Sequence, residues 1–178
     1  MSDARRGLPI TSSRIEKIFP KLTPAQLSRI AARGHIRSME GGEVLYEQGH
    51  RAAPFFVVVS GEIEVVRPSV PVETLVTVYE PGQFTGEVGT LSGRRSLFRV
   101  RATKPGKVIE LDRQQMLALI QTDAELGEIL MRAFILRRVE LIAAGVGDIV
   151  LIGSTYSASA LSNAQWTAIL LYGSRTRL

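Results

Sequence analysis

Cysteine is absent from the 178-residue sequence, and histidine occurs only at His35 and His50. Without thiols the chain forms no disulfide and has neither a cysteine nucleophile nor a CxxC redox pair, and two histidines are too few for a typical zinc site. No cluster of Ser, His and Asp is distinguishable either. We therefore expect a non-enzymatic protein with no catalytic residues, no metal site and no cofactor held by this chain.

Long apolar runs are also missing. None approaches the roughly 20 residues that cross a bilayer, and the N-terminal charges Asp3, Arg5 and Arg6 precede no apolar signal core. We therefore expect a cytoplasmic protein without a membrane partner. Apolar residues make up 45% of the chain and charged residues 22%, which is the balance of a folded globular protein with one full-sized core.

The formal net charge of +5 raises the question of nucleic-acid binding. Most arginines stand singly, as at Arg14, Arg29 and Arg51, and the one dense run, residues 94–101, alternates with apolar residues. A face that binds a phosphate backbone clusters its basic residues. We therefore expect a solvated arginine-rich surface and no nucleic-acid partner.

The middle of the chain alternates apolar and polar residues with the period of a β-strand. Its short apolar stretches are separated by turn-forming dipeptides, at Gly41-Gly42, Ser60-Gly61, Pro81-Gly82 and Pro105-Gly106. We predict strands over residues 44–46, 55–59, 63–66, 75–79, 98–102 and 108–111. The 55–59 strand is expected to be central because it is apolar throughout. These strands predict an antiparallel β-roll of the jelly-roll type.

Two short helices are predicted in residues 1–34. Ser13-x-x-Glu16 and Thr23-x-x-Gln26 are capping boxes, and the second is followed by a proline at the first helical position. Gly34 is expected to end this region in the left-handed conformation.

Two more helices are predicted after the last strand. One begins after Asp112, and a further capping box at Thr122-Asp123-Ala124-Glu125 begins a long, apolar helix over residues 123–143. Two interpretations of the long helix stay open. It either packs on the roll alone, or it forms the seam of a homodimer or a hinge.

The final segment, residues 146–178, differs in composition. We predict one buried strand over residues 148–154 and a helix over residues 158–171, and this segment contains few charged residues. One strand and one helix cannot bury both their faces, so this tail resembles the start of an incomplete α/β unit. The whole prediction is an α+β fold with N-terminal helices (1–34), the β-roll with its C-terminal helices (35–145) and a short strand-helix tail (146–178).

One segment of the roll, residues 80–96, combines glycines, a carboxylate and arginines. Glycine lets the backbone approach a ligand, a helical turn that starts near Gly86 would aim free N–H groups at an anion, and Arg94 or Arg95 could pair with the same anion. Glu87 would accept hydrogen bonds from sugar hydroxyls. The segment therefore suits a sugar phosphate. The alternative is that its glycines only form turns and that Arg94 is a surface residue.

Strand alternation distinguishes the two arginines. Ser96 and Val100 share one face of the predicted strand, whereas Arg95 and Arg101 share the other. By this parity Arg94 falls on the inner face, and Ser96 is the small residue beside the phosphate.

Over roughly residues 10–143 the sequence resembles the cyclic-nucleotide-binding domain family. The resemblance is carried by Gly42-Glu43-Val44-Leu45-Tyr46-Glu47-Gln48-Gly49, Phe56-Val57-Val58-Val59-Ser60-Gly61, Pro81-Gly82-Gln83-Phe84, Gly86-Glu87-Val88 and Val108-Ile109-Glu110-Leu111-Asp112. It implies that Gly86 and Glu87 hold the ribose and the phosphate edge, and that an arginine near position 94 pairs with the cyclic phosphate. The implied ligand-binding residues are Gly86, Glu87, Val88, Arg94, Arg95 and Ser96.

The segment departs from the family pattern in three ways. The stretch between Gly86-Glu87 and the arginines is shorter than usual, no proline precedes the arginine, and position 89 is glycine. A shortened helix leaves less room for the ligand, so a roll that has lost or changed its nucleotide stays an alternative.

A second resemblance concerns bacterial thioredoxin-reductase-like flavoproteins whose N-terminal regulatory part is such a domain. It is carried by Ser92-Gly93-Arg94-Arg95-Ser96-Leu97, residues 131–142 and residues 147–154. We predict a regulatory domain that senses cyclic AMP, cyclic GMP or a related phosphate ligand and relays binding through the 123–143 helix. The alternatives are a ligand-free structural or dimerisation domain of such a flavoprotein, and a transcription factor, although the residues after Gly145 lack a basic recognition helix.

Overall fold

The structure of the protein, a computed structural model, describes residues 16–143. Its helices are α1 (Pro24–Ala31), α2 (Glu87–Ser92), α3 (Arg113–Thr122) and α4 (Ala124–Ala143). Its strands are β1 (His35–Met39), β2 (Val44–Tyr46), β3 (Phe55–Arg67), β4 (Thr74–Tyr79), β5 (Phe84–Thr85) and β6 (Arg99–Leu111). The predicted tail over 146–178 and the predicted cap at Ser13 lie outside the described residues.

All strand pairs are antiparallel and belong to one sheet with the order β1-β6-β3-β4, in which β2 also pairs with β6 and β5 with β3. The predicted α+β fold, an antiparallel roll flanked by helices, is confirmed. The strand that begins at Phe55 is central, as predicted, because β3 lies between β6 and β4. Strands β1 and β5 were not predicted from the apolar pattern.

Two predicted turns are instead irregularities within long strands. Ser60-Gly61 lies inside β3 and Pro105-Gly106 inside β6, and the register between the two strands shifts where they face each other. A Cβ on Gly61 would come within 2.6 Å of the Pro105 carbonyl oxygen, and a Cβ on Gly106 would collide with the carbonyl of Ser60. The glycines therefore permit two backbones to cross at close range, which is the usual role of glycine at a β-bulge.

The capping boxes at Thr23 and Asp112 are confirmed as the starts of α1 and α3. The capping box predicted at Thr122 is wrong, and Asp123 caps α4 by itself. Thr122 is the last residue of α3 and its hydroxyl donates to the Ala118 carbonyl at 2.7 Å, whereas the Asp123 carboxylate accepts from the Leu126 N–H at 3.1 Å and so caps α4.

Gly34 does not have the left-handed backbone that we predicted, because its φ is not positive. Its requirement is steric. A Cβ at this position would lie 2.6 Å from Leu111 Cδ1 and 2.8 Å from the Glu110 carbonyl oxygen, so the chain passes from α1 to β1 directly against β6.

The sheet separates two hydrophobic cores. Side chains alternate along β3, so that Phe55 and Val57 enter a helix-packed core with α1, α3 and α4, while Phe56 and Val58 enter a strand-lined core. In α4, residues 126, 130 and 133 are fully buried in the helix-packed core, so this part of the helix packs on the roll. None of the helices within residues 16–143 has the length and apolar character needed to cross a bilayer.

Candidate ligand site around helix α2

The short helix α2 starts from a glycine that no other residue could replace without strain. Gly86 has φ +95°, and a Cβ on it would collide with the carbonyl oxygen of Pro54 and lie 3.1 Å from Phe55 Cα. It follows β5 immediately, and β5 pairs with the first residues of β3 through Phe56 and Thr85. The start of α2 is therefore pressed against the start of β3.

The next two predicted site residues differ in exposure. Glu87 is 2% exposed and opens α2, whereas Val88 is half-buried. The helix is anchored by Thr90, which is fully buried and whose hydroxyl donates to the Ala53 carbonyl at 2.5 Å. The Glu87 carboxylate is thus held inside the roll, next to the β3 start.

Ser96 is also buried, at 8% exposure, and it is tied to the loop that follows β2. Its N–H donates to the His50 carbonyl at 2.9 Å, and its carbonyl accepts from the Gly49 N–H at 2.8 Å. Arg95 adds a side-chain contact, because its guanidinium donates to the Gly49 carbonyl at 3.0 Å. The backbone of Arg95 also forms a bridge with Arg51.

The parity argument for Arg94 is wrong. Ser96 and Val100 are buried, as the alternation predicted, but Arg94 is exposed together with Arg95. The chain bends at Leu97-Phe98 before β6 begins at Arg99, so the alternation of β6 does not extend back to Arg94. The buried members of the predicted site are therefore Gly86, Glu87 and Ser96, and its arginines lie at the surface.

Sequence reasoning missed Tyr46 as a member of this cluster. Its ring stacks on Phe56 with centroids 6.2 Å apart, and the His50 ring lies 6.3 Å from it. Burial raises the pKa of the Tyr46 phenol, and the nearby Glu87 carboxylate raises the pKa further. Tyr46 belongs to the predicted strand over residues 44–46 and to the Gly42–Gly49 stretch of the family resemblance, and neither signal assigned it to the site.

The charges of the described residues are unevenly compensated. Five arginines contact carboxylates through their guanidinium groups, namely Arg29, Arg37, Arg99, Arg101 and Arg132. By contrast, four exposed arginines around α2 have no ion pair within residues 16–143, namely Arg51, Arg94, Arg95 and Arg113. We call these four the free arginine group. Arg113 contacts the Thr90 carbonyl of α2, and Arg94 and Arg95 follow the C-terminal end of this helix.

The rest of the dense basic run is accounted for by the outer face of the sheet. Arg99 contacts Glu47 at 2.8 Å and also Glu73, and Arg101 contacts Glu73 at 3.1 Å and also Glu64. Carboxylates raise the pKa of both guanidinium groups. These two arginines are therefore occupied in a surface ion network and do not belong to the candidate site.

Helix α2 is also connected to the C-terminal helices. Arg113, the first residue of α3, donates through Nε to the Thr90 carbonyl at 3.1 Å. At the other end of α3, Asp123 contacts Arg29 of α1 at 2.8 Å.

Comparison with known proteins shows what this arrangement is similar to. Residues 36–123 match the family model described as the cyclic nucleotide-binding domain. The match covers 88 residues, slightly less than half of the chain, and shows that the β-roll is similar to this family. The match includes α2, the free arginine group and Tyr46.

Curated relatives share this region. The potassium channel AKT1 of Oryza sativa subsp. japonica is 30% identical over 88 residues, which cover 49% of this chain and 9% of the channel. An uncharacterized protein of Mycobacterium tuberculosis is 29% identical over 144 residues, which cover 80% of this chain and 27% of that protein. The chain thus spans only a small part of the length of either relative.

Solved structures show the same fold. The catabolite activator protein of Thermus thermophilus superposes with a TM-score of 0.58 and 22% identity, over 72% of this chain and 60% of that chain. The N-terminal domain of a transcriptional regulator from Streptomyces coelicolor A3(2) superposes with a TM-score of 0.55 and 20% identity, over 74% of this chain and 94% of that chain. At this level of identity the likeness concerns the fold alone.

Proposed function

We propose that the β-roll is a non-enzymatic sensor domain that binds a cyclic nucleotide, cyclic AMP or cyclic GMP, or a related phosphate ligand. The observation that carries the proposal is the free arginine group around α2. Exposed guanidinium groups without carboxylate partners attract an anion, and arginine favours the bidentate geometry of a phosphate.

The position of Glu87 favours a sugar phosphate over an inorganic anion. A buried carboxylate repels a bare phosphate, but it accepts hydrogen bonds from the hydroxyls of a sugar. Glu87 is buried at the start of α2, and Arg94 and Arg95 follow the end of the same helix. A ligand with a sugar at one side and a phosphate at the other matches both kinds of group.

The proposed relay runs from α2 through α3. Ligand contact with Glu87 or with the arginines would shift α2, which is bonded to Arg113 at Thr90. The shift would be transmitted along α3 to Asp123, where α4 begins, and from there to an effector. We propose the 123–143 helix as the output element for this reason.

The direct test is calorimetric titration of the full 178-residue chain with cyclic AMP and with cyclic GMP. Arg94→Ala and Arg95→Ala are each expected to weaken binding about tenfold or more, because a hydrogen bond to a charged group contributes about 1.5–3 kcal/mol. Arg67→Ala is the matched control. This substitution removes an exposed arginine at the opposite end of β3, and the variant should bind nucleotide with the affinity of the wild type.

Absence of heat and of any thermal shift at millimolar nucleotide would overturn the proposal. An equal loss of affinity in Arg67→Ala would show that net charge, rather than the free arginine group, attracts the ligand.

The burial of Glu87 and Ser96 favours a second candidate, a ligand-free structural or dimerisation domain of a thioredoxin-reductase-like flavoprotein. In that case the 123–143 helix would form the seam of a homodimer. Light scattering after size exclusion distinguishes the two, since this candidate expects a dimer whose mass and stability do not respond to nucleotide. A transcription regulator would instead retard random duplex DNA at low salt.

A further inference from the structure

The free arginine group holds more positive charge than one cyclic nucleotide can neutralise. The phosphate of a cyclic nucleotide carries a single negative charge, whereas the four guanidinium groups form no ion pair within residues 16–143. A guanidinium group keeps its charge at any physiological pH, so this surplus cannot be removed by loss of a proton. The position of each arginine decides whether a second anion fits.

Arg51 and Arg95 form a pair of like charges across two backbone segments. They face each other in an isolated antiparallel bridge, beside which the Ser96 N–H donates to the His50 carbonyl at 2.9 Å. The Cβ atoms of directly opposite residues lie about 4.5–5.5 Å apart, and like charges in such positions are destabilising. The Arg95 guanidinium is held at this bridge because it donates to the Gly49 carbonyl at 3.0 Å. An anion bound by both guanidinium groups would remove the repulsion.

Arg113 is also placed where a positive charge is unfavourable. It is the first residue of α3, and the N-terminal end of a helix carries the positive end of the helix dipole. Its Nε donates to the Thr90 carbonyl at 3.1 Å and lies 4.0 Å from the Cβ position of Gly93. Arg94 follows this glycine directly. Arg113 therefore brings its charge to the end of α2 at which Arg94 begins.

The carboxylates nearest in sequence to these arginines have other partners. Asp112 precedes Arg113, but its side chain accepts from the Gln115 N–H at 2.8 Å and caps α3. Glu47 lies in the same loop as Arg51, but it contacts Arg99 at 2.8 Å. In the described part of the chain, the free arginine group thus has no carboxylate at ion-pair distance.

The uncompensated charge is confined to a small patch. The arginines that follow it along the chain, Arg99 and Arg101, already contact carboxylates on the outer face of the sheet. A nucleic-acid backbone is bound by a basic stripe or an extended basic face. Four arginines at one end of a short helix suit a small molecule, and arginine matches the oxygens of a phosphate group in bidentate geometry.

We propose that the free arginine group forms two anion subsites, one at Arg51 and Arg95 and the other at Arg94 and Arg113, for a nucleoside diphosphate or triphosphate. The inference rests on the proposed function, and among its phosphate ligands it selects those with more than one phosphate group. Arg94 and Arg95 are consecutive, so the two subsites adjoin, as the phosphate groups of one nucleotide do. Arg51 and Arg113 are thereby added to the binding residues.

The test compares nucleotides that differ only in their phosphate groups, by calorimetry on the full chain in the presence of EDTA. Cyclic AMP, AMP and ADP form one series, and cyclic GMP, GMP and GDP form the other. The wild type should bind the diphosphate about tenfold or more tightly than the monophosphate, because the second phosphate adds charged hydrogen bonds.

The ratio of the two affinities is then measured in variants. Arg51→Gln and Arg113→Gln should each lose most of the preference for the diphosphate, while the monophosphate affinity changes far less because one subsite remains. Arg67→Gln is the matched control. It removes the same charge at the opposite end of β3 and should keep the ratio of the wild type.

A second measurement needs no nucleotide. Arg51→Gln removes the repulsion across the bridge, so at low salt the ratio of folded to unfolded protein should rise about one and a half to fivefold in urea denaturation. Inorganic pyrophosphate should stabilise the wild type more than this variant and so reduce the difference. Arg67→Gln should show no such gain. If Arg51→Gln is instead less stable than the wild type, the Arg51 side chain has a structural role, and the first subsite is wrong.

The outcomes separate this inference from the proposed function. Binding of cyclic nucleotides with no preference for a diphosphate overturns the two subsites and leaves the sensor function intact. An equal loss of the preference in Arg67→Gln also overturns them, because net charge would then attract the ligand. Retardation of random duplex DNA by the wild type, lost in Arg113→Gln, would assign the patch to a nucleic acid instead. Absence of binding by every nucleotide in both series overturns the inference and the proposed function together.

Discussion

Gly86→Ala is the substitution that tests most directly how α2 is held against the roll. Two separate costs arise at this position. The backbone has φ +95°, which is unfavourable for any residue with a Cβ, and the added methyl group would collide with the Pro54 carbonyl. Gly42→Ala separates the two costs, because Gly42 has φ +84° and nothing within 4 Å of its Cβ position.

The magnitudes follow from these two environments. A left-handed backbone costs an alanine about 1–2 kcal/mol, and this is the whole effect expected in Gly42→Ala. Overpacking against backbone atoms adds about 1–3 kcal/mol, so the free energy of unfolding should fall by about 2–5 kcal/mol in Gly86→Ala. The difference between the two variants measures the contact with Pro54.

Urea denaturation of the full chain, followed by circular dichroism, gives both values. The comparison is valid if the dependence of unfolding free energy on urea is the same in the two variants. If Gly86→Ala is no less stable than Gly42→Ala, the start of α2 is not pressed against β3.

Two further predictions concern the support of the site. Thr90→Val should lower the free energy of unfolding by about 1–3 kcal/mol, because the buried Ala53 carbonyl loses its hydroxyl donor. Thr90→Ser keeps a hydroxyl at this position and should therefore retain most of the stability of the wild type in the same denaturation assay. The second prediction concerns acid. The Leu126 N–H and then the Arg29 guanidinium lower the pKa of the Asp123 carboxyl below its ordinary value of 3.8. The stabilisation that these two contacts give the folded state is therefore complete above pH 3.8, and it is lost as the pH falls through the lower pKa of the folded state. Arg29→Gln should make this acid transition smaller in a titration of stability against pH, and an unchanged transition would contradict the ion pair.

Much of the fold could be predicted because its signals are local. The alternation in residues 62–65, where Ile63 and Val65 are buried, and the caps at Thr23 and Asp112 each depend on neighbours within a few positions. The short strands β1 and β5 escaped prediction because they carry little or no alternation. They are strands because of their pairing with distant β6 and β3.

The errors have the same origin. Gly61 and Gly106 give the same sequence signal as turn glycines, but each lies in a strand because it faces the other across β3 and β6. Likewise, Arg94 could be assigned to an inner face only by assuming that one strand continues through Leu97-Phe98. The bend there is a property of the packed chain.

The sequence by itself determined the α+β class, the central apolar strand, most helix starts and the segment in which glycine, carboxylate and arginine are combined. Only the tertiary structure decided which arginines lack a carboxylate, which site residues are buried, and that Tyr46 lies among them. The physical reason is that periodicity and capping are set by residues near in sequence. Charge compensation, burial and the neighbours of the Tyr46 ring depend on which distant segments the register of the sheet brings together.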